Sequence, residues 1–323
     1  MAQNDAKTHS DAIISVVVPV FRNTFLKECI ESVLSQTFRR FELILVDDGS
    51  LDDSGQICDN YALHDSRIKV IHKNNEGAGI SRWRGVQASE SEWITFLDSD
   101  DTLTSDALQH LFALHDDTDI VVGFLTPPTH IKDYTLEECK RNAITGHDYP
   151  SSPCAKLYRR TLFDAKVFLM PRALTVGEDM IMNVRLAMRL KRPIRFCYAK
   201  VYNYRRNTVS VSHSHKGGLD YEQLFYTSLD DSFTQEERDE YSHEIIKMKL
   251  NGLVGIAFTN AQAITARRHL YLTNLISQIR QYGYQLSAKE WLLLHLHPTI
   301  ILKAFAFLIL AKTSLTYRLR LPY

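Results

Sequence analysis

The sequence predicts an α/β protein in which a mostly parallel sheet is flanked by helices, followed by a helical C-terminal extension. Through about residue 125, short apolar runs alternate with stretches of helical periodicity, as a chain of βαβ units requires. One of those runs, Trp93 to Leu97, is followed directly by Asp98, Ser99, Asp100 and Asp101. In an open sheet of this kind, ligands bind just beyond the C-terminal ends of the strands. After Gly218 the chain turns to helix-like segments rich in Tyr, Leu and Ile, with no internal repeat.

The elements follow in order. Ile13 to Val20 reads as a buried strand, and Phe25, Leu26, Cys29, Ile30, Val33 and Leu34 then line one face of a helix. Phe41 to Asp47 is the next strand, Ile57 to Leu63 a helix, Ile68 to His72 a strand and Ile80 to Ala88 a helix. Trp93 to Leu97 is the fourth strand. A helix carrying Ala107, Leu108, Leu111 and Phe112 starts near Thr104, and Asp119 to Phe124 forms a further strand. From about Thr126 to Val211 the pattern is less regular, and loops are expected to fold over the sheet edge. Within that stretch, Met180, Ile181, Val184 and Ala187 have helical spacing behind Glu178 and Asp179. This places the two acids in a first helical turn, where negative charge is favoured.

The acids point to chemistry. An Asp-x-Asp turn offers hard oxygens to a cation that also keeps waters and phosphate oxygens, which suits Mg²⁺ or Mn²⁺ better than zinc. A carboxylate brought from elsewhere can take a proton from an attacking hydroxyl, as an ionised Asp does near neutral pH. Glu178 and Asp179 fit that role, and they equally fit plain helix capping. Asp48, after the second strand, fits either a base or ribose contact or a turn. Arg82 could meet a diphosphate bidentately or simply be solvated. Gly77-Ala78-Gly79 lacks the spacing of a phosphate loop and reads as a turn into a helix. His213 and His215 have a metal-compatible look, but histidines in a polar loop are usually unliganded.

Composition removes several classes. The chain has 323 residues, enough for a large α/β domain with extensions, and its 45% apolar and 24% charged content is ordinary for a globular protein. A net charge of zero argues against a nucleic-acid partner. Cys29, Cys58, Cys139, Cys154 and Cys197 are odd in number and widely spaced, which indicates neither a disulfide framework nor a zinc site. The first dozen residues lack an apolar signal core, so residues 1–12 read as a disordered leader and the protein as cytoplasmic.

Several motifs, taken in order, resemble the family 2 glycosyltransferases of the GT-A, Rossmann-like fold, especially bacterial capsule, lipopolysaccharide and exopolysaccharide enzymes. They are Val18-Pro19-Val20-Phe21, Ser35-Gln36-Thr37-Phe38, Val46-Asp47-Asp48-Gly49-Ser50, Asn75-Glu76-Gly77, Ile94 to Asp101, Lys156-Leu157-Tyr158 and Gly177-Glu178-Asp179. The resemblance covers roughly residues 13 to 213 and implies a nucleotide-sugar donor, usually a UDP-sugar, with Mn²⁺ or Mg²⁺. It implies nucleobase contacts from Pro19, Phe21 and Asp48, and donor contacts from Arg82, Asp98 and Ser99. Asp98 and Asp100 match the metal motif, Asp179 the general base, and Glu178 its neighbour in the acceptor pocket. Trp83 stands where Asn is common after the arginine, and Tyr204, Arg205 and Ser212 resemble the closing segment. The implied reaction is a single inverting displacement onto a hydroxyl of a glycan or lipid-linked acceptor.

The expected organisation is a catalytic domain over 13–215, with a nucleotide-sugar half (13–125) and an acceptor half (126–215), and a helical region over 216–323. From Arg267 onward, eight Lys or Arg residues stand against one acid, Glu290. Trp291 to Ala311 is interrupted by His295, His297, Pro298 and Lys303. That pattern suits an interfacial helix on an anionic inner leaflet, or a helix packed on the core or on a second copy. A noncatalytic nucleotide-sugar-binding subunit would keep the fold while losing the acids. A phosphatase of the haloacid dehalogenase type would place its Asp-x-Asp after the first strand of its core, and here it follows a later one.

Overall fold

The computed structural model describes residues 12–128, 132–205, 218–259 and 269–295, together with Leu308. The expected leader, apart from Ala12, lies outside the described residues, as do Ser212, His213, His215 and most of the basic C-terminal stretch. Contacts divide the chain into two compact units. The first holds the described residues up to 136, with 152–169 and 189–205; the second holds 137–151, 170–188 and those from 218 onward. The units are interleaved in sequence, and within the second the helix after Gly177 buries its apolar face among the C-terminal helices.

The first unit is a seven-stranded sheet in the order β3-β2-β1-β4-β7-β6-β8. Its strands are β1 (Ile14–Val20), β2 (Phe41–Asp47), β3 (Ile68–His72), β4 (Trp93–Phe96), β6 (Ile120–Phe124), β7 (Lys156–Arg159) and β8 (Arg195–Lys200). The first four run parallel, joined by α1 (Leu26–Leu34), α2 (Ser54–His64) and α3 (Ala78–Ala88). Every expected strand and helix of this half is present. β1 and β2 are buried almost throughout because both faces are covered, which is why they read as continuous apolar runs. Leu26, Cys29, Ile30 and Val33 of α1 are fully buried, Leu26, Ile30 and Val33 each contributing about 2 kcal/mol.

The irregular middle of the sequence contributes more than edge loops. β7 sits inside the sheet, antiparallel to both β4 and β6, and β8 closes the edge parallel to β6. The β7 sequence, Lys-Leu-Tyr-Arg, hides a strand because both ends are cationic. Lys156 is nonetheless buried, its ammonium donating to the Ser152 carbonyl, and Arg159 lies 4.4 Å over the Trp93 ring.

Pro19 shapes the sheet where ligands should bind. The Val17 carbonyl accepts from Leu97 of the β4 side and the Val20 carbonyl from Asp48 of the β2 side, so by alternation Pro19 faces β4. Proline has no N–H to give. Pairing of β1 with β4 ends at Val17 and Phe96, whereas pairing with β2 continues to Val20 and Asp47. The strands part there, and Asp98 to Asp101 leave β4 at the mouth of the split.

Close packing of α3 on β1 depends on Gly85, where a methyl group would overlap the Val17 side chain. Gly85→Ala should therefore lower stability by about 2 kcal/mol even though alanine favours a helix by about 1 kcal/mol over glycine. Denaturant midpoints test this, and adding Val17→Ala should recover part of the loss.

The second unit is helical: α5 (Leu136–Thr145), α7 (Glu178–Met188), α8 (Leu219–Asp230), α9 (Gln235–Glu240), α10 (Ser242–Thr259), α11 (Leu270–Gln281) and α12 (Ala288–His295). Short helices α4 (Ala107–Phe112) and α6 (Ala165–Phe168) belong to the first unit. One apolar core joins Ile181 and Val184 of α7 to Leu219, Phe225, Leu229, Ile246, Leu253, Tyr271 and Leu275. None of the five cysteines is disulfide-bonded, and all are buried. Among the described residues no helix is long and apolar enough to cross a membrane.

Candidate functional site

The four residues after β4 divide their work. Asp101 is 2% exposed and turned inward. One carboxylate oxygen accepts from the Tyr202 hydroxyl at 2.7 Å and the other from the Arg205 N–H at 2.7 Å. Burial pushes its pKa up to about 6, against these two donors. The Tyr202 hydroxyl also accepts from the Asp98 N–H at 3.3 Å. This clasp exists because β5 (Thr102–Leu103) pairs with β9 (Tyr202–Asn203), laying the 202–205 segment along the acidic turn. Arg205 completes it, its Nε donating to the Asp100 carbonyl at 3.2 Å while its guanidinium covers the Phe25 ring at 4.0 Å and pairs with Glu28.

With Asp101 held inward, Asp98 and Asp100 are the turn's other two carboxylates. Asp98 pairs with Arg82 at 2.9 Å; the arginine side chain is 5% exposed and the carboxylate 37%, so the pair is open on the acid's side only. The Asp100 carboxyl is raised by burial and then by the charge of Asp98. Ser99 is buried and accepts from Asn23 at 2.8 Å. Asn23 in turn accepts from the Phe25 N–H at 2.8 Å, an Asx turn that shapes the loop after β1. Phe21 on that loop is exposed. A cavity of ≈ 250 Å³ is lined by Asp100, Asp101, Thr102, Asn203, Tyr204 and Arg205.

These donors fit a hard divalent cation. They are carboxylate oxygens one residue apart, and one is disfavoured as an anion by its surroundings. Among the described residues no cluster of three or more His, Cys, Asp or Glu side chains could enclose a metal, so the remaining ligands would come from water and phosphate.

Asp48 has a different setting. It is buried, and its carboxylate accepts from the Glu76 N–H at 2.9 Å, the Gly77 N–H at 2.8 Å, the Asn75 amide at 3.3 Å and the Lys73 ammonium. Four donors occupy the positions a carboxylate can offer. They fix the loop over residues 73–77, which ends at Gly77 with φ +95° at the head of α3. This is the turn into a helix that the sequence indicated for Gly77-Ala78-Gly79.

Glu178 and Asp179 open α7 in the second unit, both half-buried. Asn183, one turn on and fully buried, donates to the Asp179 carbonyl at 2.8 Å and the Ser151 carbonyl at 2.6 Å, and accepts from Tyr149 at 3.2 Å. The first turn is thus locked from inside the unit, with the acids at its head. Asp98, Ser99, Asp100 and Arg82 are brought together in the first unit; Glu178 and Asp179 belong to the second. Sequence reasoning missed Tyr202 and Asn23. The Asn-x-Phe turn was a legible signal for the second; nothing local marks a tyrosine 104 positions from the Asp98 N–H it meets.

Residues 15–165 match the family model described as Glycosyl transferase family 2. The chain therefore carries a domain of glycosyl transferase family 2. It is 31% identical over 188 residues to glycosyltransferase GlyG of Streptococcus pneumoniae, covering 54% of this chain and 60% of that one. It is also 31% identical over 217 residues to the uncharacterized glycosyltransferase EpsJ of Bacillus subtilis, covering 62% and 63%. The chain thus spans about three fifths of the length of these relatives. Its fold is shared with S. aureus TarS 1–349 in complex with UDP-GlcNAc, at a TM-score of 0.63 and 20% identity, covering 83% of this chain and 81% of that one. Mannosyltransferase PcManGT from Pyrobaculum calidifontis, in complex with GDP-Man and Mn²⁺, matches at 0.55 and 13%, covering 93% and 89%. The architecture is GT-A-like: a mostly parallel sheet flanked by helices, with a helical C-terminal portion.

Proposed function

We propose that the chain is an inverting glycosyltransferase that moves a sugar from a nucleotide-sugar, in the first instance a UDP-sugar, to a hydroxyl of a glycan or lipid-linked acceptor in surface polysaccharide synthesis. The observation that carries this reading is the divided acidic turn, in which Asp101 is spent on structure while Asp98 and Asp100 remain for ligand, within a family 2 domain. Asp98 and Asp100 would hold Mn²⁺ or Mg²⁺, which when bound neutralises charge on the departing diphosphate. Arg82, buried behind Asp98, fixes that carboxylate and keeps a positive charge near the phosphates. Pro19 and Phe21 frame the split between β1 and β4 that would admit the nucleobase. Asp48 contributes by fixing the loop over residues 73–77, and Ser99 by anchoring the β1 loop through Asn23.

Asp179 is the proposed base, with Glu178 beside it in the acceptor pocket. The acceptor oxygen forms its bond to the anomeric carbon as that carbon's bond to the diphosphate oxygen breaks. The hydroxyl proton passes to Asp179, and the nucleoside diphosphate leaves with the electron pair. GlyG and EpsJ are named as glycosyltransferases, and the TarS and PcManGT complexes contain UDP-GlcNAc and GDP-Man, which supports a nucleotide-sugar donor. The basic, apolar C-terminal region would hold the enzyme on the cytoplasmic face of the inner membrane, or join two copies.

The test is hydrolysis of a panel of UDP- and GDP-sugars by the purified protein with Mn²⁺, Mg²⁺ or EDTA, alongside Asp100→Ala. Nucleotide release from one or two donors is expected, abolished by EDTA and lowered about a hundredfold or more in the variant. Donor binding that ignores metal and Asp100 would instead favour a noncatalytic nucleotide-sugar-binding subunit.

A further inference from the structure

The helical C-terminal region builds the turn that presents Asp179. The residue before α7, Gly177, has φ +91°, a left-handed conformation that glycine adopts without strain. A Cβ at Gly177 would meet Phe225 Cε2 at 2.7 Å, so the Phe225 ring lies against the glycine backbone. One helical turn earlier on α8, the Tyr221 hydroxyl accepts from the Val176 N–H at 2.7 Å and donates to the Val176 carbonyl at 2.8 Å. Positions 221 and 225 share a face of α8, since side chains four apart stand one above the other. A single helix face therefore grips both residues that precede the acids.

This grip is specific. The Tyr221 hydroxyl serves donor and acceptor of one residue, so removing one oxygen leaves both Val176 groups without it. The ring of Phe225 fills the space a side chain at Gly177 would need, which ties the positive φ to the packing. On the other side of the turn, Asn183 holds the Asp179 carbonyl. The chain from Val176 to Asp179 is thus clamped at both ends, and the outer clamp comes from a helix some forty residues downstream.

We propose that Tyr221 is a positioning residue for Asp179, setting the geometry of the base through Val176 and Gly177, with Phe225 as its support. The proposal rests on the reading of Asp179 as the base. The experiment follows nucleotide release from the UDP-sugar hydrolysed fastest in the panel, with Mn²⁺ and with water in the acceptor's place. It uses the full chain as wild type, Tyr221→Phe, Phe225→Leu and Asp179→Asn. Amide exchange at Val176 is followed in parallel.

Tyr221→Phe should lower kcat about tenfold, leave KM for the UDP-sugar within about twofold, keep Tm close to wild type and speed exchange at Val176. Phe225→Leu should give the same kcat against KM split. Wild-type kcat in Tyr221→Phe, or a loss that simply follows Tm and KM together, would overturn the proposal. If Asp179→Asn hydrolyses donor at the wild-type rate, the base assignment itself fails, whatever exchange at Val176 shows.

Discussion

Asp179→Asn should lower kcat by about 10²- to 10⁴-fold while leaving the affinity for UDP and Mn²⁺ nearly unchanged. The amide has the shape of the carboxylate and is not a base at neutral pH. Asparagine keeps the size and shape of aspartate, and the backbone carbonyl of residue 179 that Asn183 holds is unchanged. Steady-state kinetics with titration calorimetry of UDP separate the two quantities. A variant that turns over normally would remove Asp179 from the chemistry. One that loses UDP binding as fully as turnover would make it part of the donor site instead.

A second large effect is expected in stability. Asp48→Ala would take from the Lys73 ammonium, whose side chain is 8% exposed, its buried carboxylate partner, itself 5% exposed, leaving it the more exposed Glu76 carboxylate at 3.3 Å and the Asn74 carbonyl at 2.8 Å. It would also strip acceptors from the Glu76 and Gly77 N–H groups. Breaking a buried pair by removing one member costs about 3 kcal/mol or more. For a protein of 323 residues that is a fall in Tm of about 4 to 5 °C. Asp48→Asn should cost less, since an amide oxygen still accepts from one of the two N–H groups, which meet different carboxylate oxygens, and Asp48→Ala/Lys73→Met should recover part of the loss. Melting of Asp48→Ala within a degree of wild type would mean that loop 73–77 does not depend on this carboxylate.

What could be read from the sequence tracks the distance over which each cause acts. The strands and helices from Ile14 to Phe124 were legible because burial on both faces writes itself into local periodicity. The helix behind Glu178 was legible for the same reason, and the turn at Gly77 from glycines that lack the spacing of a phosphate loop. β7 was not, because its lysine and arginine are accommodated by a carbonyl at Ser152 and a ring at Trp93 that no local window contains. The acidic turn could be found, but not its division. Asp98, Asp100 and Asp101 look alike in a string, and only the pairing of β5 with β9 shows that Asp101 belongs to Tyr202 and Arg205. Asp48 was found for its place after β2, while its four donors come from a loop some 25 residues on.

The interleaved units also set an order in time. On the ribosome, α7 emerges well before α8, α10 and α11, yet Ile181 and Val184 find their apolar partners there, as far along as Leu275. The sheet strands β1, β2, β3 and β4 are complete within the first hundred residues and can pair while synthesis continues. The segment bearing Glu178 and Asp179 must wait with its apolar face uncovered until most of the chain exists. Nascent chains arrested between residues 190 and 270 should therefore engage chaperones that bind exposed apolar helices, and those carrying Leu275 beyond the exit tunnel should release them.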